Sequence, residues 1–503
     1  MSEFLANISL GLTTALTLNN LLYCAIGVTL GTLVGVIPGI GTLAAMSLLF
    51  PLTFYLDPIA GLVMLGGIYY GTTYGGSTAS ILLNLPGTPS NAVVCFDGYP
   101  MAQQGRAGVA LFMTTIASFV GGSIGIVVIM LFSPFVVSVA LEFGSVEYFL
   151  LMLVGLLASA VVANAAPIRG IAMVVLGVLL GLVGVDINSG APRFTFGTFA
   201  LLDGISLVAL AMGLFGVSEI MASVRGLKSA KVEKNISMRT MLPTRDDWRR
   251  TPMPMVRGAT IGSFLGALPG TGGILASFMA YALETRVAKE PERFGKGAIE
   301  GIMAPETANN AADQTSFIPT LALGIPGTAS MALMLGVLMI HGISPGPTLM
   351  VQRPELFWGV IMSFWVGNIL LLVLNIPLIG VWMRILTIPY HILYPSVLVL
   401  VCIGVYSVNY SVLDVAFVCG FGVLGYLMRT LDFPAAPLLL GYVLGPLVEQ
   451  HFRRAMVLSY GEFSTFVGSK LSISLLAIVA GILLYALWRS WLSFKRRPAL
   501  ASK

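Results

Sequence analysis

Charge is scarce in this chain. Asp, Glu, Lys and Arg make up 10% of its 503 residues, against about a quarter in soluble domains. That shortage excludes an ordinary water-soluble globule. Histidine is nearly absent: His341, His391 and His451 stand far apart, with no HExxH spacing. The four cysteines, Cys24, Cys95, Cys402 and Cys419, lie in apolar sequence without a CxxC pair. Neither a metal site nor a disulfide frame is expected, and the cysteines read as small core residues. No GxxxxGK[ST] occurs, so the chain carries no means of using ATP. No Ser/His/Asp set or carboxylate pair suggests catalysis, and the GxG of "PGIG" lacks a dinucleotide-site context. An enzyme is not expected, and no cofactor. No Lys or Arg precedes Arg106, so a cleaved signal peptide is not expected and insertion relies on the internal spans.

What fills the space is apolar: 57% of residues are hydrophobic, and the mean hydropathy is +0.92. Runs long enough to cross a bilayer recur, for example 108–132 and 471–488. Short alternating segments of the barrel type are missing. The fold class is therefore an all-α polytopic membrane protein in a lipid bilayer, with about 10–12 transmembrane segments plus broken or re-entrant helical hairpins.

The charge that is present is clustered. Between Arg225 and Arg257 there are nine Lys and Arg against three acids, and the stretch from Arg489 to Lys503 has five bases and no acid. Basic loops face the cytoplasm, so both are expected there. A nucleic-acid patch is the less common cause, and no nucleic-acid partner is expected. The expected organisation is a membrane repeat over 1–224, a basic cytoplasmic linker over 225–257 and a second membrane repeat over 258–503.

The halves match. "GVTLGTLVGVIPGIG" (27–41) aligns with "GATIGSFLGALPGTG" (258–272), with glycine at every fourth position in both. That spacing keeps the glycines on one helix face, where another backbone can approach closely. "ILLNLPGT" (81–88) aligns with "LALGIPGT" (321–328), and the run ending at Asp186 resembles the one ending at Asp432. Two internally duplicated repeats joined by a linker is a secondary-transporter plan. An inverted arrangement is expected, with a parallel one as the alternative.

Four Pro-Gly breaks interrupt this apolar sequence, at 38–41, 85–89, 269–272 and 325–329. Around Pro38-Gly39 and Pro269-Gly270 both arms read as too short to span, giving a helical hairpin or one broken helix. A helix broken in hydrocarbon leaves amide N–H and carbonyl groups that protein, water or ligand must satisfy. A helix beginning after such a break points its positive end at the gap, which suits an anion. A single Pro-Gly is more often a turn, but four in paired positions are not. The expected substrate-binding residues are Gly39, Gly41, Thr42, Ser77, Asn84, Pro86, Gly87, Thr88, Gly270, Thr271, Gly272, Pro326, Gly327 and Thr328.

Small, polar runs precede the two PGT breaks: "YYGTTYGGSTAS" (69–80) and "APETANNAADQTS" (304–316). The second places Asn309, Asn310, Asp313 and Gln314 at helical spacing among alanines, a candidate cation-coupling set. An exposed loop is the bland alternative, yet loops in this chain carry Lys or Arg and this run has none. Glu306 is a weaker candidate for coupling. Asp186 and Asp432 could form a proton relay, although a position at helix ends fits them better. "ETRVAKEPERFGKGAIEG" (284–301) reads as a solvated loop.

"GVIPGIG", "YGGSTASILLNLPGTPSNAVVCFDGYPMAQQGRAGVAL", "KGAIEGIMAPETANNAADQTSFIPTLALGIPGT" and "HGISPGP" together resemble the TctA family, the large permease subunit of tripartite tricarboxylate transporters. The likeness runs over nearly the whole chain. It implies a bacterial inner-membrane importer of an organic carboxylate, coupled to Na⁺ or H⁺. It also implies a small membrane subunit of the TctB type and a periplasmic solute-binding protein of the TctC type. The citrate-carrying branch has an acidic residue after the first Pro-Gly, where this chain has Thr88, so a mono- or dicarboxylate is as much expected as citrate. A passive channel and an intramembrane enzyme acting on lipid-linked substrates are the rival classes.

Overall fold

A computed structural model describes residues 2–38, 40–162, 166–186, 189–223, 238–385 and 390–496. Its first half runs through α1 (Ser2–Ala15), α2 (Leu18–Val36), α3 (Gly41–Leu49), α4 (Pro58–Leu83) and α5 (Val94–Met101). There follow α6 (Ala107–Ala140), α7 (Ser145–Val162), α8 (Pro167–Gly181), α9 (Leu207–Ala211) and α10 (Ser218–Ser223). Then come α11 (Arg245–Arg250), α12 (Pro252–Gly266), α13 (Gly272–Val287), α14 (Glu300–Thr315) and α15 (Ala329–Ile340). The rest is α16 (Thr348–Gln352), α17 (Pro354–Asn375), α18 (Ile379–Ile385), α19 (Tyr390–Asn409), α20 (Val412–Thr430), α21 (Ala435–Leu458) and α22 (Lys470–Arg496). Among the described residues, the only strands are β1 (Gly184–Val185) and β2 (Pro192–Arg193), which pair antiparallel.

The protein is an all-α polytopic membrane protein. Six helical stretches among the described residues are long and apolar enough to span a bilayer, including α2, α7, α17, α20 and the continuous run from Val94 to Ala140. Five shorter apolar helices accompany them. Leu131, Phe132 and Phe135 on α6 and Leu484 and Leu487 on α22 face outward, where lipid is the natural solvent.

Two helices occupy the centre. α4 is buried from Ala60 to Ile81, and α14 from Gly301 to Thr315. Each has a glycine-striped helix laid against it. A Cβ at Gly27, Gly31 or Gly35 of α2 would run into the carbonyl oxygen of Met64, Ile68 or Thr72 on α4. A Cβ at Gly258, Gly262 or Gly266 of α12 would meet that of Ala304, Ala308 or Ala312 on α14. The offset that aligns 81–88 with 321–328 also aligns those three α4 residues with the three on α14. One close helix pair is therefore built twice from the same every-fourth-residue rule, and no side chain larger than hydrogen fits at the seam.

Two expectations need correction. The arm before Pro38 is not short: α2 has 19 residues and is long enough to span, because Thr17 caps it well upstream by accepting from Asn20 N at 3.4 Å. The 284–301 stretch is only partly a solvated loop. Glu284 lies buried within α13, where Arg257 donates to it at 2.6 and 2.9 Å. Farther on, the amides of Gly297 and Ala298 donate to the buried Asp97 at 2.9 and 2.8 Å. Residues 225–237 of the basic stretch lie outside the described residues; its later part forms α11 and the start of α12.

Candidate functional site

Each PGT break is reached by a left-handed residue. Asn84, at the end of α4, has φ 55°, and its counterpart Gly324 has φ 71°. Thr88 and Thr328 then take extended backbone, at φ −130° and −144°. At the other two breaks, α3 and α13 begin at Gly41 and Gly272, with φ 67° and 61°. The same dihedral choices recur at matched positions. Gly39 lies outside the described residues.

The breaks are satisfied differently in the two copies. Gly270 N donates to Gly327 O at 2.7 Å, tying the second pair of breaks together through backbone. Gly87 instead wedges against Gly35 and Gly76, with its N–H 3.4 Å from Gly76 O. Thr328 caps α15 by accepting from Met331 N at 3.3 Å. Thr271 spends its hydroxyl on the carbonyls of Leu265 and Leu268 at the end of α12. Thr42 accepts from Thr72 at 2.9 Å. Asn84 and Pro86 are exposed, while Pro326 is buried.

The run 304–316 is not a loop. It is α14, and its polar side chains meet α4 and α6 in the interior. Tyr69 donates to Asp313 Oδ1 at 2.7 Å, and Thr73 to Oδ2 at 2.9 Å. About two turns earlier on α14, Glu306 accepts from Ser77 at 2.7 Å and from Ser118 at 2.8 Å. Asn91, beside the first break, donates to Ser77 at 2.9 Å and reaches Glu306 at 3.4 Å, while its oxygen accepts from Thr88. Asn310 donates to Ser118 at 3.0 Å and to Asn309 Oδ1 at 2.7 Å. Thr88 is thus linked through Asn91 to both Ser77 and Glu306.

Burying a carboxylate without a cation is costly unless donors surround it or a cation or proton joins it. Among the described residues, the contacts of Asp313 and Glu306 are hydroxyls and amides, with no Lys, Arg or His in ion-pair contact. Asn309 Nδ2 and Gln314 Oε1 are buried in the same helix without a hydrogen-bond partner. Gly273, at the start of α13, has no side chain to separate it from Asp313 Oδ1, which would lie 3.0 Å from a Cβ there. Oxygen-rich, uncompensated and enclosed, this cluster suits a small hard cation or a proton.

A cavity of about 560 Å³ opens beside the first break. Gly41 and Pro86–Pro89 form one wall, and Leu214, Phe215 and Phe433 form apolar parts of the others. Among the described residues, the charged ones lining the cavity are Glu219 and Arg429.

A family model described as "Tripartite tricarboxylate transporter TctA family" matches residues 21–440. The chain belongs to the TctA family. Its relatives include "Uncharacterized 52.8 kDa protein in TAR-I ttuC' 3'region" of Agrobacterium vitis, 48% identical over 487 residues and covering 97% of each chain. A second, "Uncharacterized protein in TAR-II ttuC' 3'region" of the same organism, is 51% identical over 217 residues, 43% of this chain and 90% of the relative. No solved structure matches. Membership makes the protein a permease of the tripartite tricarboxylate transporters, in a family of transporters.

Several polar residues of this TctA permease escaped the sequence reading: Tyr69, Thr73, Asn91, Ser118 and Arg429. Ser118 had a usable signal, since Ser118, Gly121 and Gly125 form another small-residue stripe, whose glycines pack on Thr307 and on Ala311 and Gln314 of α14. Arg429 stood alone inside an apolar run used only to trace the duplication. Glu306 ranked below Asp313 in sequence, yet it carries more contacts. Asp432 lies just past the end of α20 and is exposed, whereas Asp186 directly follows β1, buried and paired with Arg453 at 2.9 Å, so the helix-end expectation holds for Asp432 alone.

Proposed function

We propose that this permease imports an organic carboxylate across the bacterial inner membrane by secondary active transport driven by Na⁺ or H⁺. The substrate is a tricarboxylate, a dicarboxylate or a related acid. A periplasmic solute-binding protein of the TctC type delivers it, and a small membrane subunit of the TctB type completes the complex. The basic 225–257 segment and the basic C-terminal stretch face the cytoplasm, as their charge bias favours.

The observation that carries this reading is the meeting of broken helices with two buried carboxylates that, among the described residues, lack cationic partners. The breaks supply amides and helix N-termini for an anion, and the acids supply oxygens for a cation. Placing both in one connected polar network couples their occupancies: each charge lowers the cost of burying the other. Breaks at matched positions of two repeats fit a site that opens to either side of the membrane in turn.

The test is uptake by the three-component system in proteoliposomes, with radiolabelled citrate and succinate as probes. Accumulation above equilibrium, driven by an imposed Na⁺ or pH gradient and abolished by an ionophore, supports the proposal. Equilibration without accumulation would make the protein a channel, and no entry of either acid would overturn the substrate class.

A further inference from the structure

We propose that Arg429 receives a substrate carboxylate in the cavity beside the first Pro-Gly-Thr break, and that Glu219 is the resting counter-ion which this carboxylate displaces. The inference rests on the carboxylate-transport reading above and assigns the recognition residue within it.

Arg429 Nη1 lies 2.7 Å from Glu219 Oε2, and among the described residues these are the two charged ones lining the cavity. With the pair closed, the lining has no net charge. An entering anion finds one cation there, and it must take that cation from Glu219. The exchange is feasible because the pair is accessible: the Arg429 side chain is 55% exposed and that of Glu219 is 29% exposed. Ion pairs this open are held weakly. A guanidinium presents its donors in a fork that fits a carboxylate by two parallel hydrogen bonds, so one acid can replace another on it.

The fold holds Arg429 in place from three sides. It sits in the last turn of α20, where the carbonyl end of the helix favours a cation. One turn earlier, Gly425 lets α20 pack directly on the backbone of Leu214 and on Ser218, which sets Arg429 opposite Glu219 on α10. Beyond the helix, Arg169 fixes the turn by donating to Leu431 O at 2.8 Å and to Asp432 O at 3.2 Å, with its guanidinium 5.3 Å from the Phe433 ring.

The other side of the cavity is complementary to an anion as well. Gly41 opens α3 there, and no atom lies within 4 Å of where its Cβ would be. The helix start is therefore bare toward the cavity, beside the Pro86-Gly87-Thr88 backbone. Leu214, Phe215 and Phe433 keep the surroundings apolar, which strengthens any charge contact formed inside. A guanidinium and a helix N-terminus across one cavity suit an acid bearing one carboxylate and a second polar or anionic end.

The test compares initial rates of radiolabelled citrate and succinate uptake by the reconstituted three-component system. Arg429→Gln should raise the half-saturating concentration about tenfold or more, the size of a lost charge-assisted hydrogen bond. Glu219→Gln should lower it, because Arg429 is then free, and Arg429→Lys should fall between Gln and wild type. The double variant Arg429→Glu with Glu219→Arg restores an ion pair with its sense reversed and should stay as impaired as Arg429→Gln. An unchanged half-saturation in Arg429→Gln, or recovery in the reversed pair, would make the contact a structural clip and overturn the inference. If Arg429→Gln fails to reach the membrane, Glu219→Gln decides, and no tighter half-saturation there overturns it. Failure of the wild type to take up either acid strikes the transport reading; wild-type uptake with indifferent variants strikes only this one.

Discussion

Ser77 on α4 donates its hydroxyl to Glu306 on α14 at 2.7 Å, joining the central helix of one repeat to that of the other. Both residues are buried, so the bond is made in a medium that strengthens it and that penalises its loss. Ser118 adds a second hydroxyl at 2.8 Å. A hydrogen bond to a charged group contributes about 1.5–3 kcal/mol. Ser77→Ala and Ser118→Ala are each expected to lower the apparent melting temperature of the detergent-purified protein, with the double variant lower still. Glu306→Gln should abolish gradient-driven uptake while the protein still inserts. Wild-type uptake in that variant would confine Glu306 to a structural role.

Asp313 is arranged differently, with one donor on each oxygen: Tyr69 on Oδ1 and Thr73 on Oδ2. Asp313→Asn keeps the shape, removes the charge and points an amide donor at one of the two hydroxyls that now donate to it. Uptake should then need a higher concentration of the driving cation, and Tyr69→Phe should shift it in the same direction by less. The measurement is initial uptake rate against Na⁺ at fixed pH, and against pH at fixed Na⁺. Unchanged dependence on both would remove Asp313 from coupling.

What the sequence made legible is what local chemistry controls. Gly27, Gly31 and Gly35 announce a close helix contact because a step of four residues is about one helical turn, and Pro86-Gly87 announces a break because proline lacks an amide N–H. The start of α2 was missed because a lone Thr17 ahead of an Asn pair is a weak cap signal. The partners of Glu306 were out of reach for a different reason. Ser77, Asn91 and Ser118 lie far from it in the chain, and only the register of α4 and α6 against α14 brings them together. Arg429 was hidden likewise, since its meaning depends on a helix packed against α10 rather than on its neighbours in sequence.

The two PGT glycines, equivalent in sequence, are not equivalent in packing. A Cβ on Gly87 would collide with Gly35 O and Gly76 Cα, while a Cβ on Gly327 would find its nearest atom, Pro319 Cγ, at 3.7 Å. Overpacking costs about 1–3 kcal/mol, and rigid backbone neighbours place Gly87 at the upper end. Gly87→Ala should therefore reduce both uptake and the yield of folded protein, whereas Gly327→Ala should give normal yield and retain uptake. Equal yields from the two would show that the α2–α4 seam can relax. A β-branched residue at Gly327 would then be the sharper probe of the second break, because it adds bulk there without breaking a helix contact.

The link between Arg106 and Asp247 makes the last prediction, one about pH. Arg106 Nη2 lies 2.6 Å from Asp247 Oδ1, and the carboxylate also closes a capping box with Thr244 at the start of α11. Burial by itself would raise the Asp247 carboxyl, but hydrogen bonds from Arg106 and Thr244, with the Arg106 charge, outweigh it and hold the group below its ordinary value. An acid lowered in the folded state stabilises that state above its unfolded pKa, about 3.9 for Asp, and the contribution is lost as the pH falls through the folded value. The difference in melting temperature between wild type and Asp247→Asn should thus be constant from about pH 5 upward and should shrink below about pH 4. Arg106→Gln should reproduce the loss, because it leaves the same buried carboxylate without its charge partner. A difference that stays unchanged on acidification below about pH 4 would show that Asp247 contributes through its shape and capping bonds rather than its charge.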